Sequence, residues 1–270
     1  EQLPPMRSNA EPVVNEPDAM TLMRKSYQNN LQLFPVGDYG EAEWRRLIWG
    51  YYRLVEKVDA LIGKVLDGLR DAGLEENTLV VFTSDHGDCH GAHRFNQKTV
   101  LYDESARVPF ICMHKGQIQP GESDKLVNTG VDLLPTLLDY AGLDVPKKLP
   151  GTSLKPLLEG KTPESWPEYL VVHNLMSQGG PVDGVTPSVN GRMVRSERYK
   201  YCIYDLGERR ESLVDMETDP GETRNIIADP EAQVIAAQHR VYLREYAMRH
   251  NDELALDMLK ALEPEPSRAE

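Results

Sequence analysis

A chain of 270 residues with 40% hydrophobic and 27% charged content can bury a large core, as one big domain or a large one with a small companion. Its net charge of −13 argues against nucleic acid and anionic membrane surfaces, so a polyanionic substrate would need a local basic patch. No apolar run approaches the roughly 18 residues of a membrane span, and no basic-then-apolar leader opens the sequence, which leaves the compartment open.

Residues 1–40 are rich in Pro and Gly and hold no lasting periodicity, apart from a short helix pattern over Asp18 to Asn30. They read as an irregular surface segment. A long helix follows from Glu41 to Ala72, where Trp44, Leu47, Ile48, Tyr51, Val55, Val58, Ile62, Val65 and Leu69 keep 3–4 spacing and Gly73 closes the pattern. The run Thr78 to Thr83 is short, continuous and rich in β-branched and aromatic residues, hence a buried strand. Arg107 to Met113 gives a second one, with Pro109 near its start. Asp132 to Ala141 is a helix ended by Gly142, with Pro135 in its first turn.

Helix, tight turn and strand are the grammar of an α/β domain, placed at 41–160. A Pro/Gly-rich stretch from Pro146 to Pro167 marks the boundary to a small α+β unit at 161–255. Its strands are predicted at 169–173, 192–195, 199–204 and 212–216, with a hairpin around Ser196-Glu197-Arg198 and a closing helix at 231–249. Residues 256–270 read as a tail.

Chemistry concentrates after the first strand. Ser84-Asp85-His86-Gly87-Asp88 puts a carboxylate and an imidazole at the strand's carboxyl end, where open α/β sheets form ligand crevices. A hard divalent cation can take both; alternatively, Asp85 caps a turn and His86 is a surface histidine. His86, His90 and His93 with Cys89 also invite a zinc reading, weakened by Gly87 and Gly91 and by the lack of a metalloprotease glutamate. Lys98 is either a solvated lysine or a fixed cation that binds an anion and stabilises a leaving oxygen, with Arg94 as a helper. Of the three cysteines, Cys112 and Cys202 sit in strand-like runs and read as core, whereas Cys89 reads as a loop thiol; no disulfide framework is expected. Tyr102-Asp103-Glu104-Ser105 reads as a capped turn.

Asp85-His86-Gly87, Gly91-Ala92-His93, Lys98 and Tyr102-Asp103-Glu104-Ser105-Ala106-Arg107-Val108-Pro109 together resemble the sulfatase family of the alkaline phosphatase superfamily. Asp132-Leu133-Leu134-Pro135-Thr136-Leu137, Gly151-Thr152-Ser153-Leu154, Tyr199-Lys200-Tyr201, Leu213-Val214-Asp215 and Glu222-Thr223-Arg224-Asn225 extend the likeness, which covers about Glu41 to His250. The resemblance implies an alkaline-phosphatase-like mixed sheet flanked by helices, plus a small C-terminal subdomain with an antiparallel sheet. It implies that Asp85 and His86 bind Ca²⁺ (or Mg²⁺), that Lys98 contacts the sulfate and its leaving oxygen, and that His93 lines the site near the ester oxygen.

The departure is equally specific. The family's nucleophile motif, Cys/Ser-x-Pro/Ala-x-Arg matured to formylglycine, does not occur in these residues, nor does any pair of adjacent aspartates. The chain therefore reads as the C-terminal part of a sulfatase, without formylglycine and inactive alone, with a missing N-terminal half as a candidate partner. Such a truncated sheet is expected to expose an edge and an apolar face. Three functions are compatible with this pattern: hydrolysis of sulfate esters, with sulfated carbohydrate preferred; hydrolysis of phosphate or phosphonate esters; and a non-catalytic, degenerate subunit.

Overall fold

The computed structural model describes residues 2–30, 32, 36–161, 163 and 165–263. In chain order the helices are α1 (Asp18–Asn29), α2 (Glu41–Asp71), α3 (Asp103–Ala106), α4 (Thr129–Tyr140), α5 (Lys155–Leu158), α6 (Gln233–His250) and α7 (Glu253–Lys260). The strands are β1 (Val80–Thr83), β2 (Phe110–Met113), β3 (Tyr169–Met176), β4 (Val189–Ser196), β5 (Tyr199–Tyr204) and β6 (Glu211–Asp215). Among the described residues no helix is long and apolar enough to cross a membrane. The chain forms two compact units.

The first unit comprises Glu1–Pro5, Gly40–Gly87 and Arg107–Glu168. Helix α2 opens with the Gly40 N–H donating to Glu43 Oε2 at 3.1 Å, one half of a capping box, glycine having no side chain to return the bond. It closes as the sequence predicts: Gly73 takes φ +68, and the N–H groups of Gly73 and Leu74 donate to the carbonyls of Arg70 and Leu69, satisfying orphan acceptors. Gly142 ends α4 in the same way, at φ +69.

Helix α4 starts three residues earlier than expected, because Asn128 caps it by accepting from the Gly130 N–H at 3.2 Å. Pro135 is therefore inside the helix and leaves the Val131 carbonyl without its i+4 donor. Gly151 lies against that carbonyl: a Cβ on Gly151 would sit 1.9 Å from Val131 O. Buried Asp132 ties the same loop, its carboxylate accepting from the N–H groups of Thr152 at 2.8 Å and Asn128 at 2.7 Å. The Gly-Thr-Ser segment is thus built to dock on a proline-interrupted helix.

β1 and β2 pair antiparallel, Val80 opposite Met113 and Thr83 opposite Phe110. The expected full burial of these strands does not hold: Phe82, Ile111 and Met113 are exposed, because among the described residues nothing covers that face. Helix α2, 31 residues long, buries Trp44 and Ile48, while Tyr51, Leu54, Val55, Val58, Leu61 and Val65 are exposed. The apolar face expected of a partial sheet is present.

The second unit comprises Met6–Tyr39, Asp88–Ala106 and Tyr169–Glu270. Its sheet is the antiparallel meander β3-β4-β5-β6, with β5 where the sequence placed it. Val171, Val194, Tyr201, Ile203 and Leu213 form its core with Leu243 of α6 and Met258 of α7.

The irregular N-terminal segment belongs to this unit and is largely not a surface loop. Met20, Met23 and Tyr27 of α1 are buried, at the spacing of one helix face. Val14 pairs with Arg224 as an isolated parallel bridge, and the Ser26 carbonyl accepts from the Gly180 N–H at 2.6 Å. At the other end, the expected tail instead begins with α7. Asp252 caps that helix by accepting from the Ala255 N–H at 3.2 Å, and Ala255, Met258 and Leu259 are buried. The tail beyond residue 263 lies outside the described residues.

Candidate active site

In the first unit β1 ends at Thr83, and the next three residues turn back on themselves. Ser84 Oγ donates to the His86 carbonyl at 2.8 Å, and the His86 N–H donates to Asp85 Oδ1 at 3.0 Å. The His86 ring places Nδ1 2.8 Å from the Gly87 carbonyl; a proton on Nδ1 for that bond leaves the Nε2 lone pair free. Nε2 lies 3.6 Å from Asp85 Oδ2. The Asp85 carboxyl is held below its usual value, first by the neighbouring imidazole and then by the His86 N–H.

A carboxylate and a free imidazole nitrogen at one strand end suit a hard cation in kind, but not in number. Ca²⁺ takes about six to eight oxygens. Among the described residues no group of three or more His, Cys, Asp or Glu is placed to hold a metal ion. These residues do not fit the ion by themselves.

His93, Arg94 and Lys98 belong to the second unit, on a loop with unusual backbone. His90, His93, Arg94, Gln97 and Thr99 all take positive φ, between 46° and 72°. Left-handed backbone is costly for residues other than glycine, most of all for a β-branched one such as Thr99, and it clusters at functional sites. The loop is held by its own polar groups. Asp88 Oδ1 accepts from the N–H groups of His90 and Gln97, both at 3.0 Å. The Gln97 carbonyl accepts from the Cys89 N–H at 2.7 Å, and the Thr99 carbonyl accepts from Asn174 Nδ2 at 2.7 Å. Cys89, expected as a loop thiol, is instead fully buried, because this turn folds over it.

Lys98 therefore stands between two residues with tethered backbones. It is half-buried, and among the described residues its ammonium has no ion-pair or hydrogen-bond partner. In an acidic chain that is a cation available for an anion. Arg94, its expected helper, is engaged instead by Glu11 at 2.6 Å.

His93 is buried and stacked on Tyr102 with ring centroids 3.9 Å apart. Its N–H donates to the Asn9 carbonyl at 2.8 Å, and Asn9 Nδ2 lies 3.3 Å from Nε2. The same amide nitrogen lies 2.6 Å from Glu104 Oε1 and 3.0 Å from the Gly221 carbonyl. Burial lowers the His93 pKa, with Glu104 opposing. In this unit His93 acts as an internal anchor of the loop.

Sequence reasoning missed Asn9 in this role. It also left Asp103, Lys200 and Glu222 without chemistry, although their segments were singled out. The Lys200 ammonium, 1% exposed, lies 2.6 Å from both Asp103 Oδ1 and Glu222 Oε1.

The sulfatase family model matches residues 6–143, and the model for the C-terminal part of N-sulphoglucosamine sulphohydrolase matches residues 91–249. A Δ4,5-hexuronate-2-O-sulfatase of Bacteroides thetaiotaomicron is 38% identical over 80% of this chain and 44% of its own length. The solved structure of a 2-O GAG sulfatase superposes with a TM-score of 0.82 at 32% identity, over 97% of this chain and 55% of that one. The phosphonate monoester hydrolase of Agrobacterium radiobacter superposes with a TM-score of 0.67 at 26% identity, over 79% and 43% of the two chains. The chain belongs to the sulfatase family of the alkaline phosphatase superfamily and has its α/β fold. It spans less than half the length of the curated relatives it matches.

Proposed function

We propose that this chain takes part in the hydrolysis of sulfate esters of carbohydrates, its second unit supplying a lysine, Lys98, that binds the anion, and its first unit an Asp-His pair, Asp85 and His86. The observation that carries the reading is Lys98: a half-buried ammonium without an acidic partner among the described residues, on a loop whose left-handed backbone is tied down on either side. When the S–O bond to the sugar breaks, negative charge develops on the departing oxygen. An ammonium already in place stabilises it without reorganisation. In this reading Asp85 and His86 are two ligands of a divalent cation, Ca²⁺ or Mg²⁺, whose remaining ligands lie outside these residues. No residue of the chain is assigned the attack on sulfur, because the nucleophile motif does not occur in it. The similarity to a Δ4,5-hexuronate-2-O-sulfatase favours a sulfated uronate.

The test is sulfate release from 2-O-sulfated unsaturated disaccharide, by the purified chain alone and mixed with a polypeptide bearing the nucleophile segment of a related sulfatase. Release only from the mixture, lost with Lys98→Met, supports the proposal. Release by the chain alone overturns the assignment of the nucleophile elsewhere. No release under either condition supports a non-catalytic subunit. The likeness to a phosphonate monoester hydrolase makes phosphonate monoesters the competing substrate, and their preferential cleavage by the mixture would replace the sulfate reading.

A further inference from the structure

Between His93 and Asp103 the chain makes a strained excursion with Lys98 in its middle, and two consecutive residues far along the sequence hold both ends. The Gly221 carbonyl is 3.0 Å from Asn9 Nδ2, which reaches His93 Nε2. Glu222 Oε1 accepts from the Asp103 N–H at 2.6 Å and from the Lys200 ammonium, which also reaches Asp103 Oδ1. Both backbone and side chain of Asp103 are thereby fixed. The turn carrying Gly221 and Glu222 is itself held by Asp219, whose carboxylate accepts from the N–H groups of Thr223 at 2.8 Å and Arg224 at 3.0 Å.

Burying one ammonium with carboxylates on a core strand is a poor way to gain stability, since apolar side chains of similar volume do as well or better. What such a cluster supplies is directional constraint. Among the described residues Lys98 has no ionic tether of its own, so its position is inherited from the backbone on either side.

We propose that Lys200, with Glu222, is a positioning residue for Lys98, locking Asp103 against β5 and so fixing the loop that presents the free ammonium to an anion. This rests on the reading of Lys98 as the anion-binding group, and the experiment separates the two claims. Hydrogen exchange at the amides of Cys89 and Gln97 reads the loop without any anion, and calorimetric titration with inorganic sulfate reads Lys98.

In Lys200→Met and Asp103→Ala, exchange at Cys89 and Gln97 is expected to accelerate about tenfold or more while amides of α6 keep their rates. Sulfate affinity falls about tenfold, the scale of a small misplacement of a binding group. Glu222→Ala behaves likewise, whereas Glu222→Gln, which keeps the accepting oxygen, restores both readouts. If Lys200→Met does not fold, Asp103→Ala decides, because that carboxylate is 23% exposed and its loss leaves the Lys200–Glu222 pair intact. A folded Asp103→Ala or Lys200→Met chain with wild-type exchange and wild-type sulfate affinity overturns the proposal. Wild-type chain whose sulfate binding is absent or indifferent to Lys98→Met refutes the active-site reading, and exchange alone then decides the clamp.

Discussion

Replacing Glu222 by Gln should change how the second unit's stability responds to pH. Burial pushes the Glu222 carboxyl from an ordinary 4.5 up to about 7, with the Lys200 ammonium opposing. Lys200 itself stays charged, because the carboxylates around it outweigh its burial. A folded-state value above the unfolded one means that the stabilisation is complete below about pH 4.5 and is lost as pH rises through 7. The full swing is about 3 kcal/mol, taking roughly 1.4 kcal/mol per pKa unit.

His90, His93, His173 and His239 are held below their usual value, mainly by burial. They act in the opposite sense, adding stability as pH rises toward 6.5. The raw profile of either protein mixes both trends, and the difference between them isolates Glu222. Urea unfolding from pH 4.5 to 8 should be followed by circular dichroism and by exchange protection at Tyr201 and Ile203 in β5. Trp44, Trp49 and Trp166 all lie in the first unit, so their fluorescence is the internal control. The stability of wild type relative to Glu222→Gln should fall by about 3 kcal/mol across that range. A difference constant to within about 0.5 kcal/mol would refute the reasoning.

Three further outcomes are expected. Lys98→Met should leave unfolding midpoints nearly unchanged, within about 0.5 kcal/mol, since its ammonium has no partner among the described residues; a larger loss in urea titration means that a structural partner exists. Gly151→Ala would drive a methyl against the Val131 carbonyl and should cost the first unit about 3 kcal/mol, seen as an earlier tryptophan transition; an unchanged midpoint contradicts the described packing. Asp252→Ala removes the bonds that Asp252 accepts from Arg192 at 2.7 and 3.0 Å and strands a buried guanidinium. That should cost about 3–5 kcal/mol by urea unfolding, and a loss below about 1 kcal/mol would show the pair to be solvent-screened.

Local rules carried far in this chain. Gly73 and Gly142 stop their helices for the reason glycine does so, and β5 follows its β-branched and aromatic run. What depended on distant partners was not legible. The apolar spacing in α1 was visible, but not the sheet unit that buries it. Pro135 suggested a helix start; only the cap at Asn128 and the docking of Gly151 show why a proline is tolerated further in. Helix α7 did have a local signal, Asp252 ahead of Ala255, Met258 and Leu259, and went unread. The strand end and the loop could be singled out because each is contiguous in the sequence. The Asn9–His93–Glu104 and Lys200–Asp103–Glu222 networks hold contacts between residues about 20 to 120 positions apart, and no periodicity encodes such pairs.

The bare apolar row along α2 has a practical corollary for anyone handling this polypeptide. Kosmotropic salts strengthen contacts between such surfaces. Ammonium sulfate should therefore make the molecules cluster through this helix at concentrations that the acidic remainder would tolerate, and phenyl resin should retain them. Light scattering that rises with salt and subsides once Val58 and Leu61 become glutamates would trace the stickiness to that one row.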